Sequence, residues 1–151
     1  MEVTTPPSSA SAEAMLKAEV IVEAQIKKTE SSEKVADAVR KLFGDAGNLR
    51  IEPDRVMLVS NDIGSLRYLK DQFRDRRVRS SARRLLLSNQ EEGFLQTYLL
   101  LNKQAATVGI GALCDDPRES ALGPIVLRLR SEELSRIIDW LTQGYDRSTT
   151  S

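Results

Sequence analysis

Apolar residues recur in this chain with two different periods, and the switches between them set the order of its elements. Ala18, Val20, Val22, Ala24 and Ile26 occupy every second position, the spacing of a half-buried strand. Val35, Val39, Leu42 and Phe43 then fall at i, i+4, i+7 and i+8, one face of a helix. Ser31, Ser32 and Glu33 supply helix-start chemistry, and Gly44 and Gly47 end the helix. Val56 to Val59 returns to strand, paired with Leu49 to Ile51 through a turn around Pro53-Asp54. Asn61 or Asp62 can cap the next helix. No Gly or Pro interrupts Ser65 to Glu92, which favours helix. One apolar stripe there is Leu66, Leu69 and Phe73; another is Val78, Ala82, Leu85 and Leu86. The two are out of phase, so either two helices meet near Arg76-Arg77 or one helix bends.

Phe94 to Leu101 is apolar enough for a central strand. Thr107 to Cys114 reads as a second strand, which Gly109 and Gly111 weaken or bulge. Pro117 to Pro124 reads as a loop. Ile125, Leu127 and Leu129 alternate with Val126, Arg128 and Arg130, predicting an outer strand. Ser131 opens a last helix with Glu132 and Glu133 where the dipole favours acids. Leu134, Ile137, Ile138 and Leu141 form its inner face, and Gly144 its stop. Hairpins mixed with helices predict an α+β fold, a largely antiparallel sheet with helices packed on it, rather than a doubly wound sheet. The expected organisation is a disordered leader over 1–16, a single domain over 17–145 and a flexible tail over 146–151.

The chain has no His and one Cys, Cys114. A His-based triad, a Cys–His pair and a Cys/His zinc site are therefore excluded. Cys114 reads as a small apolar filler. Without an internal disulfide, a signal peptide or an apolar run of about 20 residues, a cytoplasmic protein with no membrane partner is expected. Gly109-Ile110-Gly111 lacks the third Gly and the following helix of a dinucleotide fingerprint. Asp115, Asp116 and Glu119 read more simply as solvated acids than as ligands of a hard cation. No cofactor, no metal and no catalysis are expected.

Charge is the most informative compositional feature. The chain balances 22 basic against 22 acidic residues. Leu66 to Leu87, however, carries eight bases and two acids, a local +6, while the segments on either side are each −3. In a helix Arg67, Lys70, Arg74 and Arg77 form one stripe, and Arg76, Arg79 and Arg83 another. Seven of the eight bases are Arg, whose planar fork grips phosphate with paired hydrogen bonds. A solvated face, with Asp71 and Asp75 paired to Arg at helical spacing, is the competing reading. Trp140 and Tyr145 lie outside the stripes, so no aromatic platform for base stacking is evident. At the end of the apolar strand, Asn102, Lys103 and Gln104 could contact a phosphate, ribose or base edge. From chemistry alone the favoured reading is that the two amides satisfy turn backbone while Ala105-Ala106 packs closely. Leu122-Gly123-Pro124-Ile125 reads as a tight entry into the next strand.

The block Leu101-Asn102-Lys103-Gln104-Ala105-Ala106, Gly109 after it and Leu122-Gly123-Pro124-Ile125 further on resemble a family of small archaeal proteins. The match runs from about Lys17 to Gln143, with Ser65-Leu66 and Ala82-Arg83 at the matching spacing. That family is biochemically uncharacterised, carries an RNA-binding label and is loosely linked to exosome components. The resemblance implies a fold like that of the large-subunit ribosomal protein that holds 5S RNA, and an RNA-binding role. The family pattern often has Lys after the Gly, where Ile110 stands here, so one expected phosphate contact is missing. The Ser- and Pro-containing leader is an individual addition. The expectation is a non-catalytic RNA-binding protein using Arg74, Arg76, Arg77, Arg79, Arg83, Asn102, Lys103 and Gln104. The alternative is a protein–protein module or homodimer that docks an acidic partner through the same segment.

Overall fold

The computed structural model describes residues 16–44, 47–91, 93–116, 118 and 122–142. The expected leader, apart from Leu16, and the expected C-terminal tail lie outside them, as does Gly144. Strand β1 is Glu19–Gln25, helix α1 is Ser32–Phe43, and β2 Asn48–Ile51 leads into β3 Arg55–Ser60. A 3-10 turn, Ile63–Leu66, enters α2 Arg67–Asp75, which is followed by α3 Arg79–Ser88. Strand β4 Gln96–Asn102, the short α4 Lys103–Ala106, β5 Leu113–Cys114, β6 Pro124–Arg130 and α5 Leu134–Leu141 complete the chain order.

The strands form one six-stranded sheet in the order β2-β3-β1-β6-β4-β5, and every pairing is antiparallel. Register puts Val20, Val22, Ala24, Leu58, Leu127, Leu129, Leu99 and Leu101 on one side. These residues are buried in a single core with Val39, Leu42, Phe43, Leu69, Phe73, Leu86, Ile137 and Ile138 of the helices. The helical layer therefore covers one face of the sheet, as two-layer packing requires. The other face carries an ion-pair ladder. Arg128 meets Glu23 at 3.6 Å, Glu23 meets Arg55 at 3.1 Å, Arg55 meets Glu52 at 3.0 Å and Glu52 meets Arg50 at 3.8 Å. Arg128 and Arg130 make β6 look like an outer strand, yet it lies between β1 and β4; their alternation marks the uncovered face, not an edge.

Two further expectations change. The segment from Thr107 is not a long strand. Asn102 Oδ1 accepts the Ala105 N–H at 2.8 Å and turns the chain into α4. That turn then ends in a Schellman motif, with Gly109 N–H on Ala106 O and Ile110 N–H on Ala105 O. Gly109 holds φ +80 there, so only Leu113–Cys114 is left to pair with β4. Between residues 65 and 92 two helices form, separated by a second Schellman motif. Arg77 N–H bonds Arg74 O, Val78 N–H bonds Phe73 O, and Arg77 takes the left-handed position at φ +59.

Lys103 ties the sheet end together. Its side chain is 2% exposed. Its Nζ donates to Leu122 O at 2.6 Å, Gln25 O at 2.7 Å and Glu30 Oε1 at 3.0 Å. An ammonium has three protons, and all three are used. Replacing Lys103 with Met strands the Glu30 carboxylate and two carbonyls, so chemical denaturation should show a loss of about 3–5 kcal/mol; a loss below about 1 kcal/mol refutes this role. Gly109→Ala forces an L-residue into the left-handed region and sets a Cβ 3.2 Å from Tyr68 Oη. Thermal unfolding should register a cost of about 1–2 kcal/mol, and an unchanged midpoint contradicts it.

Candidate nucleic-acid interface

Helix α2 has three working faces. Leu69 and Phe73 enter the core. Tyr68, Gln72 and Arg76, spaced i, i+4 and i+8, clamp the loop after α4. Tyr68 Oη donates to Gly109 O at 2.6 Å, Gln72 Oε1 accepts the Gly111 N–H at 3.0 Å, and Arg76 donates to Gly111 O at 3.2 Å. Gly111 is needed for this closeness, since a Cβ there would sit 2.8 Å from Leu69 Cδ1. The remaining face carries Arg67, Lys70 and Arg74, and Arg77 follows at the α2–α3 junction.

The eight bases of the two helices and their junction have different surroundings. Arg74 meets Asp71 at 3.3 Å and Asp75 at 3.1 Å. The Lys70 ammonium lies 5.6 Å above the Trp140 ring of α5, a cation–π distance. Arg83 donates to Asp139 Oδ1 at 2.6 Å, which fastens α3 to α5. Arg84 lies 3.8 Å from Asp115, a long and exposed pair worth little. Arg77, exposed at the α2–α3 junction, has no side-chain partner among the described residues. Asp71, Asp75, Asp139 and Asp115 are acidic neighbours of Arg74, Arg83 and Arg84 on this surface.

The strand-end residues split. Lys103 is buried and saturated, so its charge is not offered to a phosphate. Asn102 uses its Oδ1 to cap α4. Gln104 is exposed and lines a cleft with Thr29, Glu30, Ser31, Lys34, Val35 and Thr107. The structure thus gathers Arg74, Arg76, Arg77, Arg79 and Arg83 on one helical hairpin and sets Asn102, Lys103 and Gln104 in a separate place. Sequence reasoning misses Glu30 as the partner of Lys103. Helix-start chemistry at Ser31 is visible, but the pairing of Glu30 with Lys103 spans 73 residues.

Among the described residues no group of three His, Cys, Asp or Glu is placed to hold a metal ion. Asp116 is paired with Arg118 at 2.7 Å, and the Arg118 hydrogen bonds hold its carboxyl below the ordinary range. Cys114 is buried on the register of Leu100. No described helix is long and apolar enough to cross a membrane.

No family model matches the chain. Among curated proteins it is 35% identical over 127 residues to a UPF0201 protein of Sulfurisphaera tokodaii, covering 82% of this chain and 86% of that one. It is also 35% identical over 122 residues to a UPF0201 protein of Methanothermobacter thermautotrophicus, covering 81% and 89%. The crystal structure of a UPF0201 protein from Methanococcus jannaschii superposes with a TM-score of 0.69 at 27% identity, over 82% of this chain and 92% of that one. A DUF54 protein from Methanothermobacter thermautotrophicus shares the fold, with a TM-score of 0.55 at 17% identity over 87% and 97%. With this degree of identity over nearly the full length of its archaeal relatives, the chain belongs to the UPF0201 family.

Proposed function

We propose that this protein binds RNA without catalysis, using the α2–α3 hairpin to hold phosphates. The observation that carries the reading is Arg77. A left-handed C′ position favours Gly, and a non-Gly residue there costs about 1–2 kcal/mol. Here the position holds an exposed Arg with no acid in reach among the described residues, flanked by Arg74, Arg76 and Arg79. Backbone strain kept at an outward-facing charge supports a binding role for that side chain. The local sequence charge of +6 from Leu66 to Leu87 suits a polyanion. Arg76 and Arg83 contribute to that field while serving the fold, and Arg79 and Arg84 extend it along α3.

The resemblance of the Asn102–Ala106 and Leu122–Ile125 blocks to an RNA-binding-labelled archaeal family supports the same ligand class. So do its implied likeness to the ribosomal protein that holds 5S RNA and its implied exosome link. Lys103 is left out of the contact set because its three donors are already engaged, and Asn102 because its Oδ1 caps α4. Phosphate contacts position a protein without reading sequence, so binding of structured RNA is expected to be sequence-tolerant.

Arg77→Gly separates binding from stability. Fluorescence anisotropy with a labelled RNA hairpin at low salt should show affinity falling several-fold. The melting temperature should hold or rise, because the left-handed strain is relieved. Arg77→Glu with Arg84→Glu should lower affinity by at least tenfold and flatten the slope of log affinity against log salt by about 2. Absence of binding by the unaltered protein at low salt, or an unchanged affinity in the double variant, overturns the proposal.

A further inference from the structure

We infer that the Val108–Ile110 tip and the Tyr68 ring form a self-docking surface, through which two copies of this chain associate about a two-fold axis. Val108 is 70% exposed, Tyr68 43% and Ile110 38%. The three are contiguous, because Tyr68 Oη donates to Gly109 O at 2.6 Å, between the two aliphatic residues. Arg77 takes no part in this patch, so the inference stands independently of the RNA-binding reading.

The backbone around the tip is prepared for a dry contact. The N–H groups of Thr107, Val108, Gly109 and Ile110 bond to carbonyls of Gln104, Ala105 and Ala106. The Gly111 N–H bonds Gln72 Oε1 at 3.0 Å. Long side chains serve the carbonyls: Lys41 donates to Thr107 O at 2.6 Å, Tyr68 to Gly109 O and Arg76 to Gly111 O at 3.2 Å. Within residues 107–111, the Val108 and Ile110 carbonyls alone are left without a partner among the described residues. A loop that stays in water has no need of this. Water satisfies a surface carbonyl, and immobilising a Lys, a Tyr and an Arg costs rotamer freedom. A loop that leaves water does need it, because each unpaired peptide group carried into an interface is penalised. An apolar tip on a hydrogen-bonded base therefore suits a packed protein contact, whose core is its most apolar part. A nucleic-acid contact is wetter and more polar and gives Val108 nothing to pack against.

Charge selects the second copy. Lys41 of α1 is exposed and borders the tip at Thr107, where it uses one of its protons. On the other border, Asp71 and Asp75 follow Tyr68 by three and seven residues, which puts them on the same side of α2. Their side chains are 46% and 62% exposed, and each also meets Arg74. The patch thus runs from a base, through an apolar centre, to two acids. An isologous contact joins two different parts of one patch reciprocally. With the axis across the loop, Lys41 of each copy faces Asp71 and Asp75 of the other. Tyr68, Val108 and Ile110 of both copies then close on one another. An anionic bilayer would instead meet the acidic border with repulsion.

Sedimentation of the full-length chain, from micromolar to millimolar concentration, should show a reversible monomer–dimer equilibrium. Val108→Asp, an exposed change, should weaken association by about tenfold or more. Lys41→Glu should weaken it by about fivefold or more, and so should Asp71→Lys combined with Asp75→Lys. Mixed in equal amounts, these last two variants should restore a dimer as strong as that of the unaltered protein, since every charge contact again joins opposite signs. A chain that stays monomeric to millimolar concentration overturns the inference. So does association that Val108→Asp leaves unchanged, or a mixture that binds no more tightly than either variant alone. A monomeric chain that floats with vesicles of phosphatidylglycerol and phosphatidylcholine, and no longer does so as Val108→Asp, reassigns the tip to a lipid surface and overturns it as well.

Discussion

One buried ammonium holds one end of the sheet together. Lys103 leaves β4 at the first residue of α4 and bonds the end of β1 at Gln25, the β1–α1 connection at Glu30 and the entry to β6 at Leu122. Those segments are distant in sequence and converge only because three acceptors surround one three-proton donor. Burying such a charge costs several kcal/mol unless it is paired and fully bonded, and here it is both. A guanidinium at the same place would bring five donors in a plane to a site with three acceptors. Lys is therefore specified by number and shape as well as by charge.

The placement of α4 governs the placement of the basic hairpin. The turn after α4 is held by Lys41, which donates to Thr107 O at 2.6 Å, and by Tyr68, Gln72 and Arg76 of α2. Through these bonds the strand end, the Gly109 loop and α2 form one connected unit. Arg76 belongs to that unit, and Arg83 fastens α3 to α5 through Asp139. The Arg-rich segment thus divides into residues whose side chains stitch elements together and residues, Arg77 foremost, whose side chains face outward. A stripe that looks uniform on a helical projection is not uniform in the fold.

Much of the fold is legible in the sequence because hydrophobic period reports burial directly. The alternation from Ala18 to Ile26, the Ser31-capped helix, the Leu49–Ile51 hairpin and the break near Arg76-Arg77 all come from side-chain spacing, which local geometry obeys. The errors fall where tertiary context overrides local pattern. Arg128 and Arg130 mark a solvent-facing side correctly but say nothing about a strand's neighbours, so β6 reads as an outer strand. Asn102 after a strongly apolar run is a helix cap as much as a strand end, and only the Ala105 N–H decides between them. Lys103 is the hardest residue to place. Lys is almost never fully buried unless paired, and its partners come from sequence positions 25, 30 and 122. Its setting between an apolar strand and Ala105-Ala106 is the available signal. The favoured reading of Asn102 as a turn residue agrees with its capping bond.

A chain with equal numbers of acids and bases can still present a polyanion with an attractive surface, because charges cancel only within the screening distance. Glu23 and Glu52 are spent on Arg128, Arg55 and Arg50 across the uncovered sheet face. Asp116 is spent on Arg118, and Glu133 on Arg136 at 2.7 Å. These pairs neutralise themselves locally. The bases of α2 and α3 lie in the helical layer, where Asp71, Asp75, Asp139 and Asp115 are acidic neighbours. Because the ions of the uncovered sheet face are paired among themselves, the local charge of +6 from Leu66 to Leu87, and not the net charge of the chain, is the quantity that bears on the proposed binding.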